Sequence, residues 1–176
     1  IRKAREERGS IDFDLPESEI KVDDKGEPIV ISLRPRLDAH RLIEEFMISA
    51  NEAVTEYALE KKHPFVYRVH DNPPMKALDK LQDLASSVGV DFIMDSKNIA
   101  QSLMALIDMI KDHPANFMLN MGVLRSMAQA HYSAAYGEHF GLASKAYTHF
   151  TSPIRRYPDL VVHRLLKMML KQQKEN

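Results

Sequence analysis

His149-Phe150-Thr151-Ser152-Pro153-Ile154-Arg155-Arg156-Tyr157-Pro158-Asp159-Leu160-Val161-Val162-His163-Arg164 is the stretch around which this chain is organised. It sets the hydroxyls of Thr151 and Ser152, three arginines, two histidines and two prolines within sixteen positions. Each proline stands where a helix can begin. Ser152-Pro153 reads as an N-cap followed by a first helical residue, and Tyr157-Pro158-Asp159 as a second start with an acid in the first turn. A short turn over 153–156 and a longer helix from about Pro158 fit both, since proline is tolerated in a first turn where its N–H is not needed. Arg155 then lies at or beside a helix N-terminus. Free backbone N–H groups, the positive end of a helix and guanidinium groups together make a phosphate site. From composition alone the plainer reading, a surface arginine or a partner for a carboxylate, is the commoner one.

The order of the residues goes further. The run closely resembles the signature of the RNB exoribonucleases, the ribonuclease II / ribonuclease R family, and stands nearest its ribonuclease R branch. The match extends upstream through Leu124-Arg125-Ser126-Met127, Gln129-Ala130 and His139-Phe140-Gly141-Leu142-Ala143 to Tyr147-Thr148-His149. Two earlier blocks are similar as well: Ile43-Glu44-Glu45-Phe46-Met47-Ile48-Ser49-Ala50-Asn51 and Arg68-Val69-His70-Asp71. The blocks follow the family's order from near the N-terminus almost to the end.

The resemblance implies a 3′→5′ exonuclease that degrades single-stranded RNA to nucleoside 5′-monophosphates. It implies an aspartate cluster holding two magnesium ions at the scissile phosphate, and an arginine that neutralises phosphoryl charge. The first arginine of the signature, here Arg155, takes that catalytic role. Its planar fork grips two phosphate oxygens, which lysine cannot do. A carboxylate of the earlier block, Glu44 or Glu45, contacts the RNA 3′ end, and Asn51, Thr151, Ser152 and Arg156 are further candidates for binding RNA. The sequence departs from the family in one large respect. The family's cluster of several aspartates lies N-terminal to all these blocks, and neither Asp12-Phe13-Asp14 nor Asp23-Asp24 has its pattern. The flanking OB-fold RNA-binding domains and the upstream catalytic tyrosine region are absent too. The expectation is a single partial domain over 1–176, the C-terminal portion of an RNB catalytic domain. Its magnesium ligands lie in the missing N-terminal part, and the chain is inactive alone. The alternative keeps the fold and drops the chemistry: a stand-alone RNA- or protein-binding module derived from the family.

The composition bounds these readings. With 44% hydrophobic and 28% charged residues the chain has the makings of a globular domain with a real core. A net charge of −1 supplies no global basic field, so any RNA surface must be local. There is no cysteine, which excludes disulfides and thiol chemistry and suits the cytoplasm. No apolar run reaches membrane-span length, so no membrane partner is expected.

Local patterns predict an α+β fold, strands first and then mostly helices. Residues 1–9 read as a charged arm. Ile11, Phe13 and Leu15 alternate as a short strand, and strands over 19–22 and 29–33 flank an Asp23-to-Gly26 turn as a hairpin. A helix follows from about 35 or 36 to 61, with Leu42, Ile43, Phe46, Met47, Ala50, Val54, Tyr57 and Ala58 at helical spacing. On its wheel Glu44 and Asn51 share one edge of that apolar arc, which slightly favours Glu44 over Glu45 as the RNA contact. Further elements are a strand over 65–70, helices over 75–88, 99–111 and from about 115 to 131, and a short strand over 147–150. The last helix spans about 158–171 and buries Leu160, Val161, Leu165, Met168 and Met169. A frayed tail over 172–176 ends the chain. A DNA-reading last helix is disfavoured, because its apolar residues are committed to the core.

Overall fold

The computed structural model describes residues 1–11, 18–35 and 37–175. The architecture is α+β. In order the described elements are α1 (Arg2–Glu7), β1 (Ser18–Val22), β2 (Pro28–Leu33), α2 (Asp38–Glu60), β3 (Tyr67–Val69), α3 (Met75–Ser87), α4 (Ile99–Met109), α5 (Asn116–Ser126), β4 (His131–Ser133), a 3-10 turn (Phe140–Leu142) and α6 (Tyr157–Glu175). Two antiparallel ladders form. β1 pairs with β2, Ile20 opposite Ile31, and β3 pairs with β4, Tyr67 opposite Ser133. The β1–β2 turn closes because the Asp23 carboxylate accepts the backbone N–H groups of Lys25 and Glu27, both at 2.9 Å. That is the ordinary job of an aspartate in a turn.

Two cores hold the rest. One is made by α3, α4 and α5, through Leu78, Leu81, Leu103, Leu106, Leu119 and Val123, with Ile11 and Phe92 added. Gly122 lets α3 and α5 close: a Cβ there would stand 2.9 Å from Leu84 Cδ2. The other joins the end of α2, β3 and α6 through Ala58, Phe65, Tyr67, Val69, Val162 and Met169. Val162 and Met169 are seven apart, two helical turns, and mark the inward face of α6. Met168, expected inside, is 47% exposed, and Val161 is only partly buried.

Several expectations are corrected. The charged arm is helical over Arg2–Glu7, and Arg5 is buried against Glu45 rather than solvated. The helix expected to reach 131 stops at Ser126, because Met127 turns extended (ψ 146°) and His131–Ser133 is drawn into pairing with β3. Residues 147–150 form no regular strand, yet they run beside β3: Arg68 N–H donates to Tyr147 O at 2.8 Å, and Thr148 Oγ1 donates to Val66 O at 2.6 Å. The last helix continues to Glu175, past the expected start of fraying. Most of the strand expected around Ile11, Phe13 and Leu15 lies outside the described residues; the long helix, expected from about 35 or 36, starts at Asp38 behind an extended Leu37.

The apolar arc of α2 does not behave as one core face. Its buried line is Glu45, Ile48, Asn51, Thr55 and Ala58, while Leu42, Ile43 and Phe46 are each more than half exposed. On the hairpin, Ile20, Val22, Ile29, Ile31 and Leu33 are also mostly exposed. By strand alternation and register Ile20, Ile31 and Leu33 share one face, and the register shifts between Lys21 and Val22. No described helix is long and apolar enough to cross a membrane.

Candidate functional site

The turn at the head of α6 is built as its prolines require. Residues 153–155 are a turn, and Arg155 N–H and Arg156 N–H both donate to Ser152 O, at 3.3 and 3.1 Å. The helix then starts at Tyr157. Asp159, in the first turn, is fully buried. Its carboxylate accepts three hydrogen bonds at 2.8 Å: Ser152 N–H, Arg156 Nε and Arg156 Nη2. Burial alone would raise its pKa, but the bonds from Arg156 and Ser152 and the nearby positive charge outweigh that and hold it below the usual carboxylate range.

The first-turn carboxylate of Asp159 already sets a negative charge beside the positive helix end. The N–H groups of Ser152, Arg155 and Arg156 are used inside the turn. What remains for a ligand is the Arg155 side chain. It is exposed and makes no hydrogen bond or ion pair among the described residues.

Arg155 borders a cavity of about 210 Å³ lined by Glu44, Met47, Ile48 and Asn51 from α2, by Leu142, and by Tyr147, Thr151, Ser152 and Arg156. Five of the expected residues other than Arg155 therefore meet there: Glu44, Asn51, Thr151, Ser152 and Arg156. Glu45 does not. It points the other way and accepts Arg5 Nη2 at 2.6 Å and Arg5 Nε at 3.0 Å, with both side chains over nine-tenths buried. Arg5 also bonds Ser10 Oγ. Glu45 is thus committed to the fold.

Asn51 and Arg156 line the cavity, but their polar groups are spent within the protein. Asn51 Nδ2 donates to Tyr147 Oη at 2.9 Å, and its Oδ1 accepts Phe150 N–H at 3.0 Å. Phe150 is held a second time, its carbonyl 2.9 Å from His163 Nε2 and its ring stacked on the same imidazole at 4.2 Å. The loop carrying Thr151 and Ser152 is therefore clamped from α2 on one side and α6 on the other.

Behind the cavity lies a line of rings. His70, His139, Tyr147 and His149 follow one another edge to face, with centroids 4.9, 5.2 and 5.9 Å apart. Tyr132 Oη sits 2.6 Å from His149 Nδ1, and the Arg68 guanidinium covers the Tyr132 ring at 4.7 Å. Burial, with His70 and Arg68 nearby, pushes His139 down to about 3. Burial and Arg156 bring His149 to about 4. Both rings are neutral at physiological pH. Burial raises Tyr147, against the Asn51 bond, so its phenol stays protonated. The blocks Arg68-Val69-His70-Asp71 and His139-Phe140-Gly141 meet here: Gly141 N–H donates to His70 Nδ1 at 3.1 Å, and a Cβ on Gly141 would stand 3.0 Å from that nitrogen.

Sequence reading missed two residues. Tyr147 was legible as part of a block but had no assigned partner. Asp159 showed as a first-turn acid, and its spacing of three from Arg156 is the helical pairing distance that could have identified the clamp.

Among the described residues, no group of three or more His, Asp or Glu side chains is placed to hold a metal ion. The described acids at and beside the cavity do not fit one. Both Asp159 oxygens are taken by Arg156 and Ser152, and Glu45 is taken by Arg5. Glu44 alone makes no metal site.

Comparison with known proteins places the chain. The RNB domain model matches residues 1–172. The chain is 47% identical over 174 residues to ribonuclease R of Thermotoga maritima, covering 98% of this chain and 24% of that protein. Its structure matches Mycoplasma genitalium RNase R in complex with ribose methylated single-stranded RNA, with a TM-score of 0.91 and 34% identity, over 99% of this chain and 28% of the other. It also resembles yeast Ssd1, a pseudonuclease, at a TM-score of 0.62 and 27% identity, over 76% of this chain and 17% of the other. The chain thus spans about a quarter of the length of its ribonuclease R relatives. With the family model covering nearly all of it, and the quoted blocks gathered in one place in the fold, this chain belongs to the RNB domain family.

Proposed function

We propose that this chain is the C-terminal portion of the catalytic domain of a cytoplasmic 3′→5′ exoribonuclease, which shortens single-stranded RNA from its 3′ end and releases nucleoside 5′-monophosphates. One observation carries the reading. The Arg155 guanidinium is exposed and has no partner among the described residues, on a turn whose neighbouring Arg156 is bound to Asp159, and it borders a cavity edged by Glu44.

In this reading Arg155 grips the scissile phosphate with its fork and takes up charge that develops there. Glu44 accepts hydrogen bonds from the hydroxyls of the terminal ribose, as a carboxylate suits. The hydroxyls of Thr151 and Ser152 contact the backbone of the strand. Asn51 and Arg156 serve RNA through the loop they hold. Magnesium, where the family uses it, needs carboxylates that the described residues do not supply. These belong to the N-terminal part of the domain, and OB-fold domains beside it would grip the strand further out.

The test is degradation of single-stranded RNA by the full-length protein, with label at either end. Progressive loss of mononucleotides from the 3′ end supports the proposal. Internal cleavage, or shortening from the 5′ end, overturns it. Tight RNA binding with no shortening favours the second reading, a binding module without hydrolysis, which the likeness to a pseudonuclease supports.

A further inference from the structure

We infer that Asp159 and Arg156 act as a positioning pair for Arg155, aiming its guanidinium into the cavity by fixing the turn on both sides of it. The inference rests on the role proposed for Arg155. Of two adjacent arginine side chains, that of Arg156 is bound through Nε and Nη2 to a buried carboxylate, and that of Arg155 has no partner among the described residues. Arg156 gives Asp159 two hydrogen bonds at 2.8 Å, and Ser152 N–H gives a third at the same distance. Ser152 precedes Arg155 by three residues and Arg156 follows it directly. Arg155 thus sits inside a ring closed through Asp159, with Ser152 O accepting both Arg155 N–H and Arg156 N–H across its middle.

Stability does not require an ion pair here. A buried pair spends most of its attraction on desolvation, and well-packed apolar residues do as well or better. What a charged, three-bonded clamp supplies and an apolar contact does not is direction. Each bond fixes an angle, and side chains that serve chemistry need their supports fixed to a fraction of an ångström. Asp159 stays ionised in its buried place, so the clamp holds through the neutral range. The far side of the loop is fixed in the same manner, Asn51 and His163 gripping the two polar groups of Phe150.

The test is a double-mutant cycle in the full-length protein, read by single-turnover cleavage of single-stranded RNA and by equilibrium binding. Asp159→Asn keeps an acceptor for Ser152 and loses the charge facing Arg156. It should slow cleavage by about 10²-fold, the order of loss for a group displaced by roughly 1 Å, with RNA affinity within about twofold of wild type because many other phosphate contacts supply it. In an Arg155→Lys background the same substitution should cost less than about threefold, since the group it aims is already gone. Equal losses in both backgrounds would mean a general structural role and overturn the inference, as would Asp159→Asn cleaving at the wild-type rate. Arg156→Lys keeps its charge opposite Asp159 with one bond in place of two. It should show the same non-additivity in milder form, and it carries the test if Asp159→Asn does not fold. Arg155→Lys cleaving like wild type would instead overturn the functional reading itself, and the positioning role with it.

Discussion

Glu45 is committed to the fold, and its buried pair with Arg5 gives the sharpest way to show it. Both side chains are over nine-tenths buried, joined by bonds of 2.6 and 3.0 Å, with Ser10 completing the network. Removing one partner of such a pair leaves a charge without a counter-ion inside the protein and costs about 3–5 kcal/mol. In a domain of this size each kcal/mol moves Tm by about 2–4 °C, so Arg5→Met should lower it by roughly 6–20 °C. Glu45→Gln keeps an acceptor and should lose less. The double variant Arg5→Met/Glu45→Leu should recover most of the loss, because the apolar pair carries no desolvation cost. Thermal and urea unfolding of dilute 1–176, followed by far-UV circular dichroism, reads these changes. In the full-length protein Glu44→Gln should weaken the hold on the RNA 3′ end with a smaller change in Tm. If Arg5→Met melts like wild type, or Glu45→Gln slows RNA degradation while Glu44→Gln does not, the two glutamates have been assigned the wrong way round.

Further outcomes are expected. In the full-length protein Arg155→Lys should slow the proposed RNA shortening about 10²–10³-fold, equivalent to roughly 2.7–4 kcal/mol. RNA affinity and Tm should hardly change, since the Arg155 side chain has no described partner to lose; Arg156→Lys should be milder. Purified 1–176 with added magnesium should release no mononucleotides from labelled single-stranded RNA, as its sequence has no aspartate cluster; processive release would contradict this. The same chain should self-associate at high concentration through the exposed apolar face of β1–β2 and the start of α2. The variant Ile20→Lys/Ile31→Lys should then shift light scattering towards monomer. Stability of the chain should fall with acidification. His139 and His149 are held below 6.5 when folded, so the unfolded state takes up their protons first, and stability present above about 6.5 is lost progressively towards 4 and 3. His139→Gln should flatten that dependence in melts recorded against pH.

Much of the fold was legible because its signals are local. The prolines at 153 and 158 place the turn and the last helix, the Asp23-to-Gly26 turn places the hairpin, and three helices follow their apolar periods. The failures come where long-range contacts override local pattern. Arg5 looks like a solvated charge until Glu45, forty residues on, removes it from water. Residues near 131 are helical by periodicity until β3 captures them. The apolar arc of α2 is real, but its inward line carries Glu45, Asn51 and Thr55, because the partners of those polar groups lie on other elements. Glu44 and Arg155, both singled out in the sequence, share a cavity. That Asn51 and Arg156 are braces for the loop was not legible, since a side chain's hydrogen-bond partners are a property of the packed chain.

The short ladder between β3 and β4 has a consequence for how this chain acquires its shape. Val69 pairs with His131, and everything between them, α3 to α5, folds around its own core. Bringing two three-residue strands together across so long a loop is entropically costly while the intervening chain is unstructured. The helices relieve most of that cost by drawing the loop's ends towards each other. Strand pairing, and with it the seating of His70 against Gly141, should therefore follow helix assembly in time, since contacts between distant residues form late unless local structure shortens the path. In pulsed hydrogen exchange during refolding, the amides of α3 and α5 would gain protection before those of Tyr67 and Val69. The three-helix unit would then serve as scaffolding for the assembly of the cavity, although none of its side chains lines it.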